Sequence, residues 1–176
     1  MASGVARWPL VLQIPNALTA LRLVVGLAFP WAPASRRLML LIVAALTEAL
    51  DGTLARLLDA QSRTGLVLDP IADKVFVLGA FAALVKDGTV PAPAALGLVG
   101  RDLLVLAGAA WVVLRHGRAG LHRMPPRVLG KLTTAVQLGL LLVLIGRPGT
   151  AVPPALYAAA AALSVAAGLD YLRHFR

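Results

Sequence analysis

Six apolar segments follow one another along the chain, near residues 17–32, 36–58, 67–86, 92–115, 128–146 and 154–172, with Pro, Gly and Arg marking the gaps between them. A hydrocarbon core ~30 Å thick is crossed by a helix of about 20 apolar residues. Inside that core the backbone must satisfy its own hydrogen bonds, which favours helices. Segments of this length, joined by so little chain, predict an all-α integral membrane bundle of six transmembrane helices forming a single domain over residues 1–176. Pro30 and Pro33 are expected to end the first span, the stretch from Gly88 to Pro91 to separate the third from the fourth, and Pro153-Pro154 to open the sixth. Trp8 to Gln13 reads as a short N-terminal interfacial helix with Trp8 at headgroup depth. The N-terminus shows no apolar core followed by a small-residue cleavage site, so it is expected to remain on the chain rather than act as a signal peptide.

Composition decides which partners fit such a bundle. Hydrophobic residues make up 59% of the chain and charged residues 14%, against about a quarter charged in soluble domains. The net charge of +9 raises the possibility of nucleic acid, but the 17 Lys and Arg are scattered singly between apolar blocks. A nucleic-acid site would need a basic run interleaved with aromatics, so no nucleic-acid partner is expected. Anionic membrane lipids account for the charge better. The absence of Cys excludes disulfides and thiolate metal sites. With six spans, one side of the membrane holds Arg7, Arg56, Arg63, Arg115, Arg118, Arg123, Arg127, Arg173 and Arg176, and the other holds Arg36, Arg37, Lys86 and Arg147. That excess predicts both termini, and the loop between the second and third spans, in the cytoplasm.

Beside this loop the chain gathers its acid. Five of its eight acidic residues, Glu48, Asp51, Asp59, Asp69 and Asp73, fall within residues 48–73. Glu48 and Asp51 are spaced i, i+3 on the second span, and Asp69 and Asp73 i, i+4 on the third, so each pair lies on one helical face. A loop from about Asp59 to Gly65 is short enough to make the two helices antiparallel neighbours, and both faces then meet near the cytoplasmic end. Four carboxylates in a membrane repel one another and need a compensating positive charge. Oxygen donors without His or Cys point to a hard cation, Mg²⁺ first and Mn²⁺ or Ca²⁺ next. Four carboxylates suit two ions, an arrangement that stabilises the attacking and leaving oxygens of a phosphoryl displacement. Gly52 and Ala55 leave room beside this face, Arg56 is placed to hold a phosphate by a forked pair of hydrogen bonds, and Pro70 is expected in the first turn of the third helix.

The pattern Asp51-Gly52-x2-Ala55-Arg56-x8-Gly65-x3-Asp69-x3-Asp73 resembles the signature of the CDP-alcohol phosphotransferase (CDP-alcohol phosphatidyltransferase) family. The family's usual form has Asp where this chain has Glu48, one methylene longer. IPNALTALRLVVGLAFP (14–30), GRDLLVL (100–106) and GKLTTAVQ (130–137) resemble the phosphatidylglycerophosphate synthase and eukaryotic-type cardiolipin synthase branches, so the resemblance covers about residues 14–137. It implies a six-helix membrane enzyme, usually a homodimer, in phospholipid biosynthesis, here expected in the bacterial inner membrane. Such an enzyme transfers the phosphatidyl group of CDP-diacylglycerol to an alcohol and releases CMP. By this resemblance Glu48, Asp51, Asp69 and Asp73 would bind two Mg²⁺ or Mn²⁺ ions at the pyrophosphate. Asp73 would also take the proton from the attacking hydroxyl, and Gly52, Ala55, Arg56 and Gly65 would contact the CDP moiety.

Arg22, Lys74, Arg101 and Lys131 are cations within spans, where an unpaired charge is expensive. An anionic acceptor would satisfy some of them, with Arg101 and Lys131 the acceptor-binding candidates. Glycerol 3-phosphate is the favoured acceptor, and phosphatidylglycerol, as in cardiolipin synthesis, is the alternative. The structural readings are that Arg101 pairs with Asp102, Asp69 or Asp73, that Lys74 is a counterion for Asp73, and that Asp170 pairs with Arg173. His116, His122 and His174 have no metal-site spacing and read as solvated or headgroup-level side chains. Two other classes compete with the enzyme: an ion or proton relay in a transporter, and an inactive paralogue serving as a membrane scaffold.

Overall fold

The computed structural model describes residues 14–57, 65–116 and 128–173; within these, the side chains of 14–16, 48–57, 65–70, 109, 113, 116, 128, 131 and 171–173 lie outside the description. Among the described residues there are six α-helices and no strand. They are α1 (Ile14–Ala28), α2 (Ala34–Leu57), α3 (Gly65–Lys86), α4 (Ala92–His116), α5 (Val128–Gly146) and α6 (Pro154–Arg173). The expected interfacial segment Trp8 to Gln13 lies outside the described residues. The six apolar segments coincide with the six helices, and the first shows the largest difference. There α1 stops at Ala28 and the chain tightens into one 3₁₀ turn over Phe29–Trp31, with Pro30 inside it. Proline fits a short 3₁₀ turn because it has no N–H to give to a continuing helix. Pro70 departs from expectation too: α3 begins at Gly65, so Pro70 falls in the second turn and has no N–H to offer the Leu66 carbonyl.

The helices pair through small residues. α1 lies along α3 with the two backbones nearly touching: a Cβ on Gly79 would sit 2.0 Å from the Gly26 carbonyl oxygen, and one on Gly26 would sit 2.7 Å from Phe76 Cα. Beyond this crossing Phe29 meets Phe76 edge to face, ring centres 5.5 Å apart. α4 lies along α6 in a similar way, with Gly97 against Ala161. α1 also touches α2, and α5 touches α6, α2 and α3. Phe29, Leu41, Phe81, Leu98 and Leu141 fill the centre.

The turns fix the direction of each helix. Gly88, at φ +72°, ends α3 in a left-handed cap in which Thr89 N–H donates to Leu84 O (2.9 Å) and Gly88 N–H to Val85 O (3.0 Å). Just past this cap Asp87 accepts from Arg37 near the start of α2, and Arg37 Nε also donates to Ala32 O at 3.0 Å. Lys86 Nζ reaches Pro30 O at 3.3 Å. The end of α3 therefore lies beside the beginning of α2, and the two helices run antiparallel.

Polar and apolar side chains are distributed unlike those of a water-soluble bundle. Val24, Trp31, Met39, Leu96 and Leu114 face outward, while Arg22, Lys74, Asp102, Gln137 and Ser164 are buried. Among the described residues α4, over Ala92–Val112, is long and apolar enough to cross a membrane; Ala17–Trp31, Leu132–Gly146 and Pro154–Asp170 are shorter apolar helices.

Candidate active site

Antiparallel α2 and α3 bring the signature residues to one level. Asp51 is fourteen residues along α2 from Arg37, and Asp73 is fourteen residues back along α3 from Asp87, about 21 Å in each case at 1.5 Å per residue. Because Arg37 and Asp87 are paired, the helix positions of Asp51 and Asp73 share a depth in the bundle. The helical course of α2 carries Glu48, Asp51, Gly52 and Ala55 along one face, with Arg56 one residue on. Gly65 opens α3, with Asp69 one turn before Asp73. Of the four carboxylates expected to bind metal, Asp73 is the one whose side chain is described. Glu48, Asp51 and Asp69, like the expected CDP contacts Gly52, Ala55, Arg56 and Gly65, have side chains outside the described residues, and so does Lys131. The four carboxylate positions lie on α2 and α3, each of which packs against α1; oxygen donors without His or Cys would suit hard divalent cations.

Asp73 accepts from the guanidinium of Arg22 on α1, and its side chain stays 28% exposed while that of Arg22 is 3% exposed. Arg22 was expected only as an in-span cation; its position on the helix that crosses α3 makes it the partner of Asp73. Lys74 does not serve as the counterion of Asp73. Successive residues leave a helix about 100° apart, so Lys74 points away from Asp73. Its Nζ lies 2.7 Å from Asp102 Oδ1 on α4 and 3.4 Å from Thr134 Oγ1 on α5.

Asp102 is the polar centre of the other half of the bundle. Its side chain is 0% exposed and accepts from Lys74 and, at 3.3 Å, from Arg101 Nη1, both on Oδ1. Oδ2 accepts from Gln137 Nε2 at 2.6 Å. Gln137 Nε2 also donates to Leu98 O at 2.8 Å, an oxygen that accepts as well from Ser164 Oγ of α6 at 2.8 Å. Arg101 Nη1 donates a second bond to Gly130 O at 3.2 Å, and a Cβ on residue 130 would sit 2.3 Å from Arg101 Nη2, so glycine there makes room for the guanidinium. Of the three partners considered for Arg101 from sequence, the structure has Asp102. Gln137 and Ser164 were not singled out individually, although a lone polar residue in the middle of an apolar segment is the signal that marks them. Asp170 and its expected partner Arg173 lie at the end of α6, where the Arg173 side chain is outside the description. Of the three histidines, His122 and His174 lie outside the described residues, and the His116 side chain does as well.

A family model described as CDP-alcohol phosphatidyltransferase matches residues 12–170. A protein of Salmonella choleraesuis named CDP-diacylglycerol–glycerol-3-phosphate 3-phosphatidyltransferase is 32% identical over 174 residues, covering 91% of this chain and 93% of that protein. One of the same name from Sodalis glossinidius is 32% identical over 176 residues, covering 94% and 92%. A rice protein named cardiolipin synthase (CMP-forming) is 29% identical over 166 residues, covering 82% of this chain and 49% of the rice protein.

Proposed function

This chain belongs to the CDP-alcohol phosphatidyltransferase family, and from that premise we propose that it transfers the phosphatidyl group of CDP-diacylglycerol to glycerol 3-phosphate, releasing CMP, inside a membrane. One observation carries the reading: the family match runs through both carboxylate-bearing helices, whose signature positions Asp51 and Asp73 share a depth in the bundle. The acceptor is supported by bacterial relatives named for glycerol 3-phosphate that match over nearly their whole length. A second acceptor, phosphatidylglycerol, is supported by the rice relative named cardiolipin synthase.

In this reading the acceptor hydroxyl oxygen bonds to the phosphorus bearing diacylglycerol, and the anhydride P–O bond to CMP breaks. The hydroxyl proton passes to Asp73, whose half-exposed carboxylate is held in orientation by Arg22. Glu48, Asp51, Asp69 and Asp73 would hold two divalent cations, Mg²⁺ or Mn²⁺, which supply charge neutralisation at the pyrophosphate. Gly52, Ala55, Arg56 and Gly65 would line the CDP moiety. Arg101 is suited to the acceptor's anionic group because Nε and Nη2 have no partner among the described residues, while Nη1 is held by Asp102 and Gly130; Lys131, one residue past Gly130, would assist it.

Outward apolar and inward polar side chains support a membrane setting for all six helices. The excess of basic residues beside the carboxylate end supports an orientation with the site and both termini facing the cytoplasm of a bacterial inner membrane. A homodimer completes the proposal, by the family resemblance. The test is CMP release by purified protein in liposomes containing CDP-diacylglycerol and Mg²⁺. Glycerol 3-phosphate, phosphatidylglycerol, inositol phosphate and serine are offered in parallel. Release with glycerol 3-phosphate is expected; release with phosphatidylglycerol alone would reassign the acceptor. No metal-dependent release with any of the four would overturn the enzyme reading and leave the membrane scaffold.

A further inference from the structure

We propose that Asp102 is a positioning residue which, with Lys74 as its counterbalance on one shared oxygen, presets Arg101 for the anionic group of the acceptor alcohol. The inference rests on the transferase reading above. Lys74 Nζ and Arg101 Nη1 lie 2.7 and 3.3 Å from the same atom, Asp102 Oδ1, so the two nitrogens are at most 6.0 Å apart, the two distances end to end. Two cations this close inside the bundle repel one another unless a carboxylate stands between them. Asp102 is placed to do this by three helices. Counted from the ends of their helices on the far side, Asp102, Gln137 and Ser164 lie ten, nine and ten residues in, about 15 Å at 1.5 Å per residue. At that depth Gln137 fixes Oδ2, and Ser164 and Gln137 together hold the Leu98 carbonyl one turn before Asp102.

The cluster of Lys74, Arg101 and Asp102 keeps one net positive charge. Arg101 spends a single nitrogen on it, since Nη1 serves both Asp102 and Gly130. Its other edge is left for a phosphate, and Gly130 keeps that edge clear of a side chain. Lys74 follows Asp73 directly in the chain, so the cluster adjoins the catalytic carboxylate without sharing its partner. Removing the Asp102 charge would drive Lys74 and Arg101 apart and misplace the free edge. Removing Lys74 alone would let the carboxylate draw in both edges of Arg101, which misplaces it as well. Removing both restores the balance around Arg101.

The experiment measures CMP release by the full-length protein in CDP-diacylglycerol liposomes, with KM determined separately for glycerol 3-phosphate and for CDP-diacylglycerol. Asp102→Asn is expected to raise the glycerol 3-phosphate KM at least about tenfold while the CDP-diacylglycerol KM stays within about twofold. The Lys74→Met/Asp102→Asn pair is expected to return the acceptor KM to within about threefold of the unsubstituted protein. Equal rises in both KM values, or a double variant no better than Asp102→Asn, overturns the proposal. Should Asp102→Asn give no monodisperse protein, Lys74→Met alone is decisive: a selective rise in acceptor KM supports the proposal and an unchanged one sinks it. The unsubstituted protein separates the two levels. Its silence with every acceptor removes the transferase reading itself, whereas an active parent with unselective variants removes only the role of Asp102.

Discussion

Asp73 and Asp102 are both carboxylates on long apolar helices, and each accepts from an arginine, yet they occupy different chemical situations. Asp73 pairs with Arg22 across the α1–α3 crossing and keeps 28% of its side chain exposed. Asp102 is sealed, with Lys74 and Arg101 on one oxygen and Gln137 on the other. A partly exposed carboxylate can be reached from solvent; one saturated by buried donors cannot. Lys74, beside Asp73 in sequence, is the link, because α3 turns its side chain towards α4 and so ties the helix of Asp73 to the sealed carboxylate.

The widest test of this contrast is Asp73→Asn. The amide oxygen still accepts from Arg22, so folding is expected to survive, while the rate of CMP release falls by at least about 10²–10⁴-fold, the usual worth of a positioned general base. Retention of more than a tenth of the parent rate would erase the distinction between the two carboxylates. Gln137→Leu strikes the other side. It leaves Asp102 Oδ2 without its described donor, for a destabilisation of about 1–3 kcal/mol. Thermal unfolding in detergent measures it, and a change below about 0.5 kcal/mol would mean that the sealed carboxylate does not depend on its buried donor. Ser164→Ala is milder. It removes one of two side-chain donors to the Leu98 carbonyl, and single interhelical hydrogen bonds in membrane proteins average ~0.6 kcal/mol. A loss as large as that of Gln137→Leu would shift the weight of the node from Asp102 to the Leu98 carbonyl.

The two regions were unequally legible in the sequence. The carboxylate signature is local: its spacings are helix periods, and Pro and Gly mark the ends of each apolar run, so six helices, the shared face of Glu48 and Asp51 and that of Asp69 and Asp73 follow from periodicity. The Asp102 node is not local. Lys74 looks like a partner for Asp73 because the two are adjacent in the chain, whereas the rotation of α3 against α1 and α4 decides which way each points. That rotation is set by the Gly26–Gly79 contact, where two backbones meet without side chains between them. No spacing rule reports such a contact. Gln137 and Ser164 carry a weaker signal, a single polar group in an apolar run, which marks a residue as inward-facing without naming its partner.

A third carboxylate calibrates the other two. Asp87, at the far end of the bundle, is 37% exposed and paired with Arg37. Its pKa is held below the ordinary 3.8 chiefly by the hydrogen bond from Arg37, against the opposing effect of burial, with the charges of Arg37 and Lys86 adding to the lowering. A depressed folded pKa stabilises the native state above the unfolded value, near 3.9, and that contribution disappears as pH falls through the folded pKa. The melting temperature of the parent protein is therefore expected to exceed that of Asp87→Asn by a small, constant margin from pH 7 to 5, and the two curves should converge below about pH 4. Water and salt screen this pair, so the margin should also shrink in high salt. A salt-insensitive margin at Asp87 would place its ion pair with the sealed carboxylate rather than at the surface, and would extend the dry interior of the bundle to the α3–α4 turn.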